Sequence, residues 1–176
     1  ALYEAFAAGQ PSPLSELPLQ YADYAAWQRE WWRGPVVERE MAYWKRQLGG
    51  TLPILELPTD RRRPAVQTFR GARLSFRVPA ALSTALKSLT RSYDGTLFTT
   101  LSAVLNVLLH RYTGQSDIPI GFAIAGRSRT DLEPLIGMFV NTLVLRTDLS
   151  GNPTFVELLA RVRDVALDAY THQNTP

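Results

Sequence analysis

The chain has no cysteine and only two histidines, His110 and His172, in 176 residues. Without thiols there are no disulfides, no thiolate metal ligands and no cysteine nucleophile, and a reducing cytoplasm is the expected setting. Neither histidine is paired with a second one, and neither is followed at short range by Asp-Gly. A general base titrating near neutrality is ordinarily an imidazole, so this scarcity leaves no catalytic group, no nucleophilic triad and no metal site to expect. His110 lies in Leu108–Tyr112 near the end of an apolar helical run, the position of a partly buried or C-terminal capping histidine. No apolar run approaches the roughly 20 residues that span a bilayer, and no basic-then-apolar signal opens the chain, so no membrane association is expected. The formal charge is only +3. With neither a basic helical stripe nor a recognition motif, nucleic acid is not expected as a partner.

What is present is ordinary globular material, 45% hydrophobic and 20% charged, enough for a self-contained domain of this size to bury roughly 70% of its unfolded surface. Both ends read as cuts. Residues 1–8 carry strong helix formers with no N-cap before them. A Pro-rich connector, 9–18, leads to Leu19–Trp32, where Leu19, Tyr24, Trp27 and Trp31 recur at helical intervals. Gly34-Pro35 breaks that helix and starts another, Val36–Leu48, closed by Gly49-Gly50. The aromatic stripe of this hairpin reads either as core or as a groove.

Thr51–Thr68 holds Pro53, Pro58 and Pro64 and the run Asp60–Arg63, which reads as an extended linker. Its arginines are either solvated or poised for a phosphate or an acidic carrier protein. Ala72, Leu74, Phe76 and Val78 then alternate with polar residues, predicting a half-buried strand ended by Pro79. Helices follow over Ala80–Ser92 and, with Thr96 as N-cap and Gly114 as terminator, over Leu97–Tyr112. A last helix, Phe155–Tyr170, comes after Gly151–Thr154. The order of helices, strand, two helices, two strands and a helix suits an α/β layer rather than a bundle or barrel.

The most informative stretch runs from Ile118 to Asp148. Ile118–Ala125 is apolar enough for a strand covered on both faces, then the chain leaves the core at Gly126-Arg127-Ser128-Arg129-Thr130-Asp131 and returns as a second strand within Met138–Leu149. Gly137 is expected to supply positive φ where the loop rejoins the strand. Asn141 is a lone amide in an apolar strand and needs partners, since an unpaired buried polar group costs about 1 to 3 kcal/mol.

Ile136–Arg146, IGMFVNTLVLR, with the preceding AGRSRTDLEPLIG, resembles the core motif in the second lobe of condensation domains from nonribosomal peptide synthetases. Tyr21-Ala22-Asp23-Tyr24-Ala25-Ala26-Trp27-Gln28 is similar to the YxDYAxWQ motif of that family. His172-Gln173-Asn174-Thr175-Pro176 looks like the opening of its HQDxPFE motif, with Asn174 where Asp is usual. The catalytic HHxxxDG motif of the family has no counterpart in this chain.

The resemblance implies an α/β fold: part of a two-lobed, chloramphenicol-acetyltransferase-like sandwich arranged in a V around a tunnel. It places the closing helices of the first lobe in 1–50, the inter-lobe linker in 51–67 and the opening of the second lobe in 68–176. It also implies amide-bond formation between aminoacyl or peptidyl thioesters carried on the 4'-phosphopantetheine arms of carrier proteins, with no cofactor bound by the chain itself. Holding both reactants in place supplies about 7 to 11 kcal/mol in such a reaction. The implied partners are peptidyl carrier proteins, neighbouring synthetase domains and the remaining part of the condensation domain. Asn141, Arg127 and Ser128 are the candidates for contact with the tunnel contents or the arm, Asn141 being equally suited to pinning the strand. Tyr21, Asp23, Tyr24, Trp27, Gln28, Gly137, Phe139, Val140, Thr142, His172 and Gln173 are motif residues expected to act structurally. Without the histidine pair the chain alone is expected to be inactive. Two other readings stand beside this one: a condensation-like docking module without chemistry, and a related ester-forming acyltransferase.

Overall fold

The computed structural model describes residues 2–62 and 64–175, so Ala1 of the first helix, Arg63 of the arginine run and Pro176 of the last motif lie outside the described residues. Among the described residues eight regular elements follow one another: α1 (Leu2–Ala7), α2 (Tyr21–Trp31), α3 (Pro35–Gln47), α4 (Ala80–Ser92), α5 (Leu97–Thr113), β1 (Asp117–Ile124), β2 (Asn141–Asp148) and α6 (Phe155–Thr171), with a 3-10 turn at Thr130–Leu132.

The helix boundaries follow from local chemistry. Thr96 caps α5, its hydroxyl accepting from the Thr99 N–H at 3.1 Å, and Gly114 ends that helix in the left-handed region at φ 72°. Thr154 caps α6, and Glu157 reaches back to the Thr154 N–H at 2.7 Å. Each satisfies backbone groups that the first or last helical turn leaves without partners. His110 sits half-buried in the last turn of α5, its Nδ1 2.8 Å from the Gln115 carbonyl oxygen.

The two strands pair antiparallel in register from Asp117 opposite Asp148 to Ile124 opposite Asn141. Leu143, Leu145 and Thr147 of β2 point inward, toward α6 and α5. Ile118, Ala103, Leu158, Leu159 and Val162 form the centre of that layer, and each fully buried aliphatic side chain there contributes about 1.5 to 3 kcal/mol.

Two expectations are corrected here. β1 is covered on one face only: Ile118 is buried, but Gly121 and Ala123 are exposed. Ala72–Val78 is no half-buried strand. It runs as irregular, exposed chain, with Leu74 91% and Phe76 83% exposed. Alternation makes a strand only where a neighbouring edge supplies hydrogen bonds and a core receives the apolar face. Among the described residues the sheet holds β1 and β2 alone.

Three carboxylates are held below their ordinary range by hydrogen bonds: Glu157 by the Thr154 N–H and hydroxyl, Asp148 by the Ser150 N–H and hydroxyl, and Asp131 by Arg129. A depressed folded-state pKa contributes stability that is present above the unfolded value and disappears as pH falls through the folded one. The midpoint of urea unfolding is therefore expected to drop between about pH 5 and pH 3, and T154A/S150A is expected to flatten that limb. An unaltered limb in the double variant would mean that the N–H bonds, which both alanines keep, or other carboxylates set it.

Candidate functional site

The three motif segments, the first of them far from the other two along the chain, meet around one cleft of about 220 Å³. Tyr24 and Gln28 of α2 form one side, Met138 to Asn141 with Gly126 form a second, and Gln173 and Asn174 form the third.

Helix α2 enters with Asp23 near its start, the carboxylate accepting from the Gln20 N–H at 2.8 Å. None of its residues is buried. The aromatic stripe divides between core and groove: Tyr24, half-buried, packs on the buried cluster of Leu132, Leu135 and Phe139, whereas Trp27 is 41% exposed. Tyr24 packs on Phe139 at a centroid distance of 4.7 Å, while Tyr21 meets the same ring edge-on at 5.2 Å. Gln28 Nε2 donates to the Tyr24 hydroxyl at 3.3 Å. Burial, and secondarily the neighbouring Tyr21, raises the Tyr24 pKa, moving this phenol further from base chemistry at neutral pH. On the other side of Tyr24, Trp27, Leu19, Leu132, Asp23 and Arg129 enclose a smaller apolar hollow of about 160 Å³.

The loop from 126 to 140 is shaped by two glycines, for different reasons. Gly126 has φ 65°, and a Cβ there would fall 1.7 Å from the Phe139 carbonyl oxygen. Gly137 does not have the positive φ expected of it. It is glycine because the Tyr21 ring lies against it, where a Cβ would stand 2.1 Å from Tyr21 Cδ2. The Tyr21 hydroxyl closes this contact by donating to the Met138 carbonyl at 2.9 Å. Outward from the loop point Ile136, Met138 and Val140, all exposed, alternating with buried Leu135 and Phe139.

The candidate contact residues are placed as follows. Asn141 begins β2, and its amide is fully engaged: Nδ2 donates to the Gln173 and Thr175 carbonyls at 3.2 and 2.5 Å, while Oδ1 accepts from the Thr142 N–H at 2.8 Å. Thr142 is exposed beside it. The Arg127 guanidinium lies 4.1 Å above the Phe139 ring and donates to the Leu132 carbonyl, tying the two arms of the loop together. Ser128 is exposed on that loop.

Two residues outside the motif segments, Trp44 and Glu40, also shape the site, as does Arg146 at the end of the second segment. Trp44 Nε1 donates to the His172 carbonyl at 3.2 Å and to Thr175 Oγ1 at 3.0 Å. Glu40 Oε2 is 2.8 Å from His172 Nδ1. Arg146 binds Asp117 through Nη2 at 2.6 Å and donates from Nη1 to the Gln47 and Gly49 carbonyls at 3.2 and 2.9 Å, fastening the sheet to the C-terminal end of α3. The one signal for them in the sequence was a cation in an apolar strand and a Glu40-Tyr43-Trp44 spacing that shares a helix face.

A family model described as Condensation domain matches residues 1–176. One polypeptide of the linear gramicidin synthase of Brevibacillus parabrevis is 57% identical over 175 residues, 99% of this chain but only 2% of that polypeptide. The solved complex of the X-domain and OxyB from teicoplanin biosynthesis contains a chain that superposes with a TM-score of 0.91 at 33% identity, over 99% of this chain and 39% of its own. The first condensation domain of the CDA synthetase superposes with a TM-score of 0.75 at 20% identity, over 98% of this chain and 37% of its own, and shares the fold.

Proposed function

This chain belongs to the condensation-domain family of nonribosomal peptide synthetases, and on that premise we propose that it lines the channel in which such a synthetase forms an amide bond between carrier-borne thioesters. Its α/β layer is of the chloramphenicol-acetyltransferase type found in condensation domains. The observation that carries the proposal is the convergence of the three motif segments on one cleft walled by a phenol, carboxamides and exposed apolar residues. Such a lining offers neutral donors and acceptors together with apolar surface, which suits an amide-containing phosphopantetheine arm better than a free ion. Ser128 and Arg127 stand at the loop beside the cleft and are assigned to the arm. Asn141 is assigned to the wall itself. Residues 1–50 would close the first lobe, 51–67 would cross between lobes and 68–176 would open the second. Carrier proteins and the other synthetase domains are the proposed partners, and no cofactor is assigned to the chain.

Among the described residues the cleft is lined by no imidazole and no carboxylate, so the chain is assigned binding and orientation, not proton transfer. Purified 1–176 is expected to give no amide product from carrier-loaded donor and acceptor, followed by mass spectrometry. The full synthetase polypeptide with an HHxxxDG pair is expected to give it. Equal rates from the two would sink this assignment. A second reading, a docking module without chemistry, is favoured by the likeness to the X-domain found in complex with OxyB. It would be upheld by a full synthetase in which this domain binds a partner protein and forms no amide.

A further inference from the structure

Glu40 is 3% exposed, deep enough that its carboxylate must be paired. Its Oε1 meets Arg39 Nε and Nη2, both at 3.1 Å, and its Oε2 accepts from His172 Nδ1. The imidazole lies flat on the Tyr43 ring, 3.9 Å between centroids and 13° between planes. Tyr43 is itself buried, and its hydroxyl has no hydrogen-bond partner among the described residues. That burial, with the Asp168 charge adding to it and Arg46 opposing it, pushes the phenol up to about 12. A carboxylate, an imidazole and a phenol are thus collected under α3, and none of them lines the cleft.

What they hold is the cleft's third wall. His172 begins the segment that carries Gln173 and Asn174, and every other anchor of that segment takes backbone or Thr175: Trp44 binds the His172 carbonyl and Thr175 Oγ1, and Asn141 binds the Gln173 and Thr175 carbonyls. Gln173 and Asn174 side chains make no hydrogen bond among the described residues. We propose that Glu40 and His172 are positioning residues for the reaction assigned above: their bond clasps the wall to α3 and so fixes where Gln173 and Asn174 meet the substrate. This rests on that assignment. A buried carboxylate is a poor device for stability alone, because an apolar pair of the same volume serves as well, whereas its directed bond specifies one placement of the imidazole and of the chain that follows.

The test uses the full synthetase. H172F keeps the stack on Tyr43 and removes the bond. E40L/H172F removes both partners of the bond, leaves only the largely exposed Arg39 without its carboxylate, and serves if the single variant folds poorly. H172N returns a donor where Nδ1 stood. Expected in H172F and in the double variant are a rise of about tenfold in KM for the carrier-borne substrate, kcat within about twofold, and faster amide hydrogen exchange at 173–175, since a misplaced wall weakens binding. H172N is expected to restore both readings. Unchanged exchange overturns the clasp, and faster exchange with unchanged KM overturns its positioning role. If the unaltered synthetase forms no amide, the assignment of function falls, and the Kd for the same carrier-borne thioester then decides the inference: a rise in H172F supports it and no change overturns it.

Discussion

Replacing Gly126 by alanine is expected to destabilise the domain more than any other single methyl added to the loop. Two costs combine. The backbone stands at φ 65°, which an L side chain adopts at a cost of about 1 to 2 kcal/mol. The new methyl would lie 1.7 Å from the Phe139 oxygen and 2.8 Å from its carbonyl carbon, which are backbone atoms that cannot rotate away. Relieving that overlap means moving the 126–139 pair of chain segments apart, about 1 to 3 kcal/mol more. The movement would lift Phe139 from Tyr24 and Arg127, opening the cleft at its centre. Gly114 is the control: its φ is 72°, but no atom lies within 4 Å of the place its methyl would take. Urea titrations of G126A and G114A should therefore differ by the overlap alone. Equal losses would mean that the loop does not approach Phe139 so closely.

Much of this architecture could be read from the order of residues because it depends on neighbours. Thr96, Gly114 and Thr154 bound their helices through groups three or four residues away, and the swing from apolar run to polar loop at Gly126 marked the end of β1. The motifs named α2, the loop and the last segment, but not the fact that they share one cleft, since spacing along the chain carries no information about approach in space. The two glycines show the limit. Both sat in a loop, and positive φ was the local reason available for either. Only Gly126 has it, and Gly137 answers instead to a ring 116 positions earlier in the sequence. Ala72–Val78 failed in the opposite direction: its alternation was genuine, yet a pattern cannot supply the strand it must pair with. Glu40 and Trp44 gave only a shared helix face, for the same reason as Gly137: each acts through a partner more than a hundred residues distant.

The isosteric change Asn141→Asp is expected to release the last wall of the cleft and to do so in a pH-dependent way. In the native chain Nδ2 supplies both donors to the carbonyls of Gln173 and Thr175. A carboxylate has no donor to offer and would set negative charge against two carbonyl oxygens. Losing both bonds and adding that repulsion should cost about 2 to 4 kcal/mol. Protonation returns one donor. Because the folded state then favours the protonated acid, the folded pKa of N141D would stand above the unfolded one. The restored stability is therefore fully present below the unfolded carboxyl value and is lost as pH rises through the folded one. N141L removes the donors without adding charge and should be destabilised at every pH by a similar amount. Stability curves of the two variants, each referred to the native chain, should cross: N141D is the weaker at about pH 7, where its charge faces the carbonyls, and the stronger near pH 3.5 or below, where it alone regains a donor. The same titration read through amide exchange at 173–175 locates the effect in the wall. Parallel curves would mean that the carbonyls of Gln173 and Thr175 do not face position 141, and that β2 is not joined to the third motif through that amide.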